Sequence, residues 1–214
     1  MSLWTILPVK PFGEGKSRLA GHLSPDRRRT LNRDLLAHTL GAVRLAHVKG
    51  EIVVVSRDKE ALEAAARTGS HALIEEPPEP RLSRNAVQPH AISPELQLNA
   101  ALTQATRYAV ARGATKVLVL PTDIPNLTAE DVRAVASPCG AGPQIIIAPS
   151  RDGGTNALFL QPAQAIPFAF GRGSFARHQR LAEAAGIPVR VVASASLLFD
   201  IDLPEDYENV VRAC

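Results

Sequence analysis

Carboxylates that follow apolar runs, and basic residues set among glycines, carry the chemistry of this sequence. Asp123, in VLVLPTDIPNL, comes just after an apolar run, a place where a carboxylate can hold a hard cation such as Mg2+ through oxygen. In LLFDIDLPEDY, Asp200 and Asp202 alternate, so both point the same way if the segment is extended. A turn aspartate at 123 and a helix cap at 202, ahead of Pro204, are the structural alternatives. Two separate carboxylate groups, each following its own strand, would make a shared metal site.

The basic residues gather in KPFGEGKSRLAG, where Gly15-Lys16-Ser17 matches the end of a phosphate-binding P-loop. The P-loop's first glycine falls on Lys10, which argues against that wrap and against a P-loop kinase. Lys10, Lys16 and Arg18 around a glycine-bearing loop still suit an anion held by another geometry. RDGGTNALFL places Gly153 and Gly154 before Thr155 and Asn156, so that backbone amides could approach a small anion; a plain tight turn reads the same. In FGRGSFARH, Gly171 and Gly173 precede Ser174, expected to cap a helix whose N-terminal amides would face phosphate or carboxylate. His178, a lone helical histidine, reads as a surface or packing residue rather than a base. Asn99, in LQLNAALTQA, interrupts an apolar helical pattern and is either exposed or bonded to a base or ribose. No convincing Ser-His-Asp set is present.

These residues need a scaffold, and the apolar runs supply it. Trp4 to Val9, Ile52 to Val55, Val117 to Leu120, Ile145 to Ala148 and Val189 to Ala193 are too continuously apolar for a half-exposed sheet and read as strands buried on both faces. Helical patterns lie between them: one opened by Ser24-Pro25, one by Asp58 and one by Thr128 with Asp131. Others run from Glu95 to Arg112, Phe175 to Ala185 and Pro204 to Arg212. Alternating strands and helices predict an α/β fold with a mostly parallel central sheet flanked by helices. Pro8 with Lys10, Pro121 with Asp123, and Pro149 with Asp152 follow strand ends, so one crevice at the carboxyl edge of the sheet is the expected site. Residues 76–94, with five prolines, read as a long surface loop over that site.

At 214 residues the chain fits one domain, 1–214. Its apolar runs are far short of the ~20 residues a membrane span requires. MSLWTILPVK reads as a first strand and not a leader, which leads to the expectation of a cytoplasmic protein. Cys139 and Cys214 suggest neither a disulfide framework nor a zinc site. A net charge of +3 is too mild for a dedicated nucleic-acid binder, and Arg27 to Arg29 read as a solvated helix face.

Taken together, LPVKPFGEGKSRLAG, LNAAL, LPTDIPNLT, DGGTNAL, FGRGSFARH and DIDLPED resemble, in order and spacing, the 2-phospho-L-lactate guanylyltransferase family of coenzyme F-420 biosynthesis. The resemblance implies a Rossmann-like, nucleotide-sugar-transferase-like fold and transfer of GMP from GTP to a small phosphorylated three-carbon acid. That acid would be 2-phospho-L-lactate, phosphoenolpyruvate or 3-phospho-D-glycerate. It implies that Lys10, Lys16, Ser17 and Arg18 hold the triphosphate, with Asn99 facing the nucleoside. Gly154, Thr155, Gly171 and Ser174 would receive the acceptor, and Asp123 and Asp202 would hold Mg2+. Lys16, Arg18 and Asp123 would carry catalysis. The alternatives are a nucleotidyltransferase for another small phosphorylated acceptor and a GTP-binding module without turnover. The oligomeric state, a homodimer included, stays open.

Overall fold

The computed structural model describes residues 2–77 and 93–213. Seven strands form one sheet: β1 (Ser2–Pro8), β2 (Gly50–Ser56), β3 (His71–Ile74), β4 (Ala114–Val119), β5 (Gln144–Pro149), β6 (Thr155–Gln161) and β7 (Val189–Val191). They lie in the order β3-β2-β1-β4-β6-β5-β7. β1 pairs in parallel with β2 and β4, β2 with β3, and β5 with β7. β6 alone is reversed, antiparallel to both β4 and β5. The sheet is therefore mostly parallel, as expected, and the turn from β5 into β6 lands on the same edge as the carboxyl ends of β1, β2 and β4.

Helices cover both faces: α1 (Pro25–Leu45), α2 (Lys59–Arg67), α3 (Pro94–Val110), α4 (Ala129–Val135), α5 (Ser174–Ala184), α6 (Ala195–Leu198) and α7 (Pro204–Ala213). The two-residue period of the strands divides the core between the faces. Leu3, Leu7, Leu118 and Leu120 pack with Leu36 and Leu40 of α1, Ala61 of α2 and Val132 of α4. Trp4, Ile6, Val117 and Val119 pack with Ala101, Leu102 and Ala105 of α3 and Ala182 of α5. Each fully buried Leu or Ile contributes about 1.5–3 kcal/mol relative to an exposed one. Among the described residues no helix is long and apolar enough to cross a membrane.

The expected helix starts hold at three places. Ser24 Oγ accepts from Arg27 N, Asp58 Oδ1 accepts from Glu60 N at 2.9 Å, and Thr128 and Asp131 form a reciprocal capping box. The fourth needs correction: α5 begins at Ser174, and its cap is Gly173 in a left-handed conformation (φ 67°). Two strands were not anticipated. β6 was read only as a turn, because its apolar core ALFL follows polar residues, and β3 is a four-residue edge strand with alternating burial. Most of the 76–94 loop lies outside the described residues.

Candidate active site

The loop after β1 is built by a turn and a left-handed residue. Glu14 N and Gly15 N both donate to Pro11 O, at 2.8 and 3.0 Å. Asn32 of α1 lies so close that a Cβ on Gly15 would sit 2.6 Å from its Nδ2, which itself donates to Phe12 O at 2.7 Å. Lys16 then adopts φ 54°, ψ 39° and leads into a single 3-10 turn, Ser17–Leu19. A non-glycine residue there costs roughly 1–2 kcal/mol, a strain placed at the residue with most to do. Its buried side chain reaches across the sheet edge, with Nζ 3.1 Å from Asp123 Oδ2 and 3.7 Å from Asp202 Oδ1, and donates to Ile201 O. Arg18 Nη1, exposed, meets Asp202 Oδ2 at 2.9 Å. Lys10 is exposed and makes no ion pair among the described residues. This is a strand, a loop and a 3-10 turn, not a P-loop.

Asp123 follows β4, and Asp200 and Asp202 follow α6. Ile201 N donates to Asp123 O at 3.0 Å and draws the two segments together. One carboxylate oxygen from each of Asp123, Asp200 and Asp202 lies within 4.8 Å of the others. Burial first, then the charges of Asp123 and Asp202, push the Asp200 carboxyl up to about 6 against a hydrogen bond from Asn156. Asp206 supports the segment from below, its Oδ2 accepting from Asp202 N (3.0 Å) and Leu203 N (2.8 Å) while its Oδ1 takes Arg151 at 2.9 Å. An all-oxygen, three-carboxylate donor set fits a hard divalent cation. Alternation places Asp200 and Asp202 on one side of the segment, and the fold brings both beside Asp123. Asp206 was not singled out at all; its only signal was the spacing DLPED.

The glycine motifs form a second region beside this one. Gly154 N donates to Asp152 Oδ1 at 3.1 Å, and a Cβ on Gly154 would sit 2.5 Å from Ser150 Oγ. Gly171 has φ 121°, and a Cβ there would meet Glu95 Cγ at 2.6 Å. Ser174 Oγ donates to Thr155 Oγ1 at 3.0 Å, and Thr155 Oγ1 lies 3.1 Å from His178 Nδ1. Because His178 Nε2 accepts from Ala169 N at 3.1 Å, the neutral ring carries its proton on Nδ1 and donates to Thr155. Burial, then Arg177, lowers the His178 imidazole to about 4, so at neutral pH it stays uncharged. It packs the site rather than acting as a base, in keeping with the sequence reading.

A cleft of about 560 Å³ runs along the carboxyl edge of the sheet and is lined by Lys10, Lys16, Ser17, Arg18, Asp123 and Asp202. Asn99, Gly154, Thr155, Gly171 and Ser174 are not part of this lining. Asn99 uses both ends of its amide on one backbone residue: Nδ2 donates to Phe170 O at 3.1 Å and Oδ1 accepts from Phe170 N at 2.8 Å. It fixes the loop that leads to Gly171. Three further cleft residues, Arg57, Glu75 and Gln97, carried no signal in the sequence, since each looks like an ordinary surface residue.

The chain matches the family described as "Guanylyl transferase CofC like" over residues 3–212. The chain belongs to that guanylyl transferase family. It is 39% identical over 213 residues to a phosphoenolpyruvate guanylyltransferase of Sphaerobacter thermophilus, covering 98% of this chain and 93% of the relative. It is 32% identical over 211 residues to a 2-phospho-L-lactate guanylyltransferase of Methanothermobacter thermautotrophicus, covering 99% and 85%. A nucleotidyl transferase structure from Methanothermobacter thermautotrophicus shares the fold at a TM-score of 0.67 and 16% identity, with 100% of this chain and 99% of that one covered. The family resemblance carried by the six motifs therefore holds across nearly the whole chain, and the protein is an enzyme of the nucleotidyltransferase class.

Proposed function

We propose that the protein transfers GMP from GTP to the phosphate of a small phosphorylated three-carbon acid and releases pyrophosphate, in coenzyme F-420 biosynthesis. The observation that carries this reading is the meeting of Lys16 and Arg18 with Asp123, Asp200 and Asp202 at the carboxyl edge of the sheet. A phosphate oxygen of the acceptor attacks the α-phosphorus of GTP, a new P–O bond forms, and the bridging oxygen leaves with pyrophosphate. The second pKa of a phosphate monoester is about 6, so the nucleophile is already ionised at neutral pH and no general base is needed. Bringing two anions together is the obstacle, and a site that neutralises charge and fixes an in-line approach removes it.

Asp123 and Asp202, with Asp200 in reach, would hold Mg2+, which when bound neutralises phosphate charge and orients the reacting groups. Lys16 and Arg18, with Lys10 and Ser17 on the same loop, take the triphosphate. Gly154, Thr155, Gly171 and Ser174 form the acceptor region, where Gly154 and Gly171 let the backbone pack closely against Ser150 and Glu95 with no space for a side chain. Asn99 serves the site by holding Phe170 in place. Among the three acids we place phosphoenolpyruvate first, because relatives bearing that name share 39% and 37% identity with this chain against 32% for the 2-phospho-L-lactate relative. The test is pyrophosphate release with GTP, Mg2+ and each acid offered separately. Release with phosphoenolpyruvate supports the assignment, release with another acid alone moves the acceptor, and GTP binding without release leaves only a binding module.

A further inference from the structure

At the far end of the cleft from the acids, two polar side chains face each other over an apolar floor. Gln97, in the first turn of α3, donates through Nε2 to Glu75 Oε1 at 2.7 Å. Both line the cleft, together with Val9, Val55, Leu98 and Leu102. The backbone carrying Glu75 is clamped on both sides by one residue of α3: Gln104 Nε2 donates to Ile74 O at 2.9 Å, and Gln104 Oε1 accepts from Glu76 N at 3.1 Å. Glu75 N in turn donates to Ser56 O at 2.9 Å, which ties it to the end of β2. Glu75 makes no ion pair among the described residues, and its second carboxylate oxygen has no partner there. Glu75 is thus a partly exposed carboxylate fixed in place, with one oxygen free among the described residues to accept from a ligand.

From this geometry we infer that Glu75, oriented by Gln97, reads the guanine base of the nucleotide. The inference rests on the guanylyl-transfer reading above. Glu75 follows β3 and Asp123 follows β4, three strand spacings apart in the sheet order, or about 14 Å at about 4.8 Å each. A nucleotide with its phosphates at Lys16 and Arg18 would extend its base along the cleft toward Glu75, with a purine face against the partly exposed Leu98 and the buried Val9, Val55 and Leu102 beneath it. Guanine presents two adjacent donors on its outer edge, N1–H and the N2 amine, and one carboxylate accepts both. Adenine presents an acceptor at N1, which meets the carboxylate oxygen with no proton between them. A site built to bond a ligand's N–H groups rejects analogues that lack them, because its own acceptor is cut off from water by the bound base and left unpaired.

Inosine triphosphate isolates the contact, since it keeps N1–H and O6 and lacks only the 2-amine. Calorimetric titration of the wild type with GTP, ITP and ATP in Mg2+ should show GTP binding about 10- to 100-fold more tightly than ITP, the worth of one hydrogen bond to a charged group. ATP should bind more weakly still. In Glu75→Gln the GTP-to-ITP ratio should collapse to within about threefold, with thermal unfolding checking that the variant is folded. Equal wild-type affinities for GTP and ITP, or an unchanged ratio in Glu75→Gln, would overturn the assignment. Binding and turnover separate the two claims. Selective GTP binding without pyrophosphate release sinks the reaction and keeps the base site, whereas release with unselective binding does the reverse.

Discussion

Replacing Asp200 by Asn should make the metal-free protein more stable while disabling its site. The folded protein raises this carboxyl from 3.8 to about 6, chiefly by burial and then by the charges of Asp123 and Asp202. A shift of about two units is about 3 kcal/mol, and solvent screening at this partly exposed side chain reduces it to about 1–2 kcal/mol. The sign follows from proton binding: between pH 4 and 6 the folded state holds a proton that the unfolded state has released, so stability falls as pH rises through that window and stays lower above it. Asn carries no charge and escapes the loss. In chelator at pH 7.5, Asp200→Asn should therefore melt roughly 2–8 °C above the wild type, with the difference fading by pH 4. Mg2+ should reverse the order. At a hundredfold excess over its Kd it would stabilise the wild type by about 2.7 kcal/mol, and a variant short of one ligand should gain much less. Thermal unfolding followed by circular dichroism, with and without Mg2+ from pH 4 to 8, gives the answer. A variant less stable than the wild type in chelator at pH 7.5, or a gain as large at pH 4, would refute the electrostatic reasoning.

Three further substitutions probe separate parts. Asp123→Asn should abolish measurable turnover while leaving the circular dichroism spectrum and melting temperature close to wild type; near-wild-type activity would remove it from the metal site. Lys16→Ala should lower kcat by about 10²- to 10³-fold, the usual worth of a preorganised charge contact in the transition state. Single-turnover rates at saturating GTP would check this, and a change confined to KM would limit Lys16 to ground-state binding. Asp131→Ala should cost about 3 kcal/mol, or roughly 6–12 °C in melting temperature, because it leaves Thr128, Ser194 and Ser196 without their acceptor. Burial alone would raise the Asp131 carboxyl, but the hydrogen bonds from Ser194, Ser196 and Thr128 outweigh it and hold it below the usual range. Its contribution is therefore present near neutral pH and is lost on acidification.

The strands that run uninterrupted through the core were legible because burial on both faces leaves a continuous apolar run, as in β1 and β4. The reversal of β6 was not, since direction leaves no mark on composition and its run is shortened by Thr155 and Asn156. Asp123 and Asp202 stood out by following apolar runs, and the alternation of Asp200 with Asp202 was visible too. Bringing all three into one cluster required the tertiary bond from Ile201 N to Asp123 O. Asn99 shows the limit of motif reading. Its helical position was clear, but its amide partner, Phe170, lies 71 residues away. Serine favours the cap position, which points to Ser174, whereas Gly173 supplies the left-handed turn that a side chain would resist. Glu75 and Gln97 meet only because β3 ends beside the first turn of α3.

The measurement that bears most directly on the account is pyrophosphate release from GTP and Mg2+ in the presence of phosphoenolpyruvate, 2-phospho-L-lactate or 3-phospho-D-glycerate, with ATP and CTP as controls. Release should require GTP, Mg2+ and a phosphorylated acid together, and proceed most readily with phosphoenolpyruvate. No release from GTP with any of the three acids would contradict it.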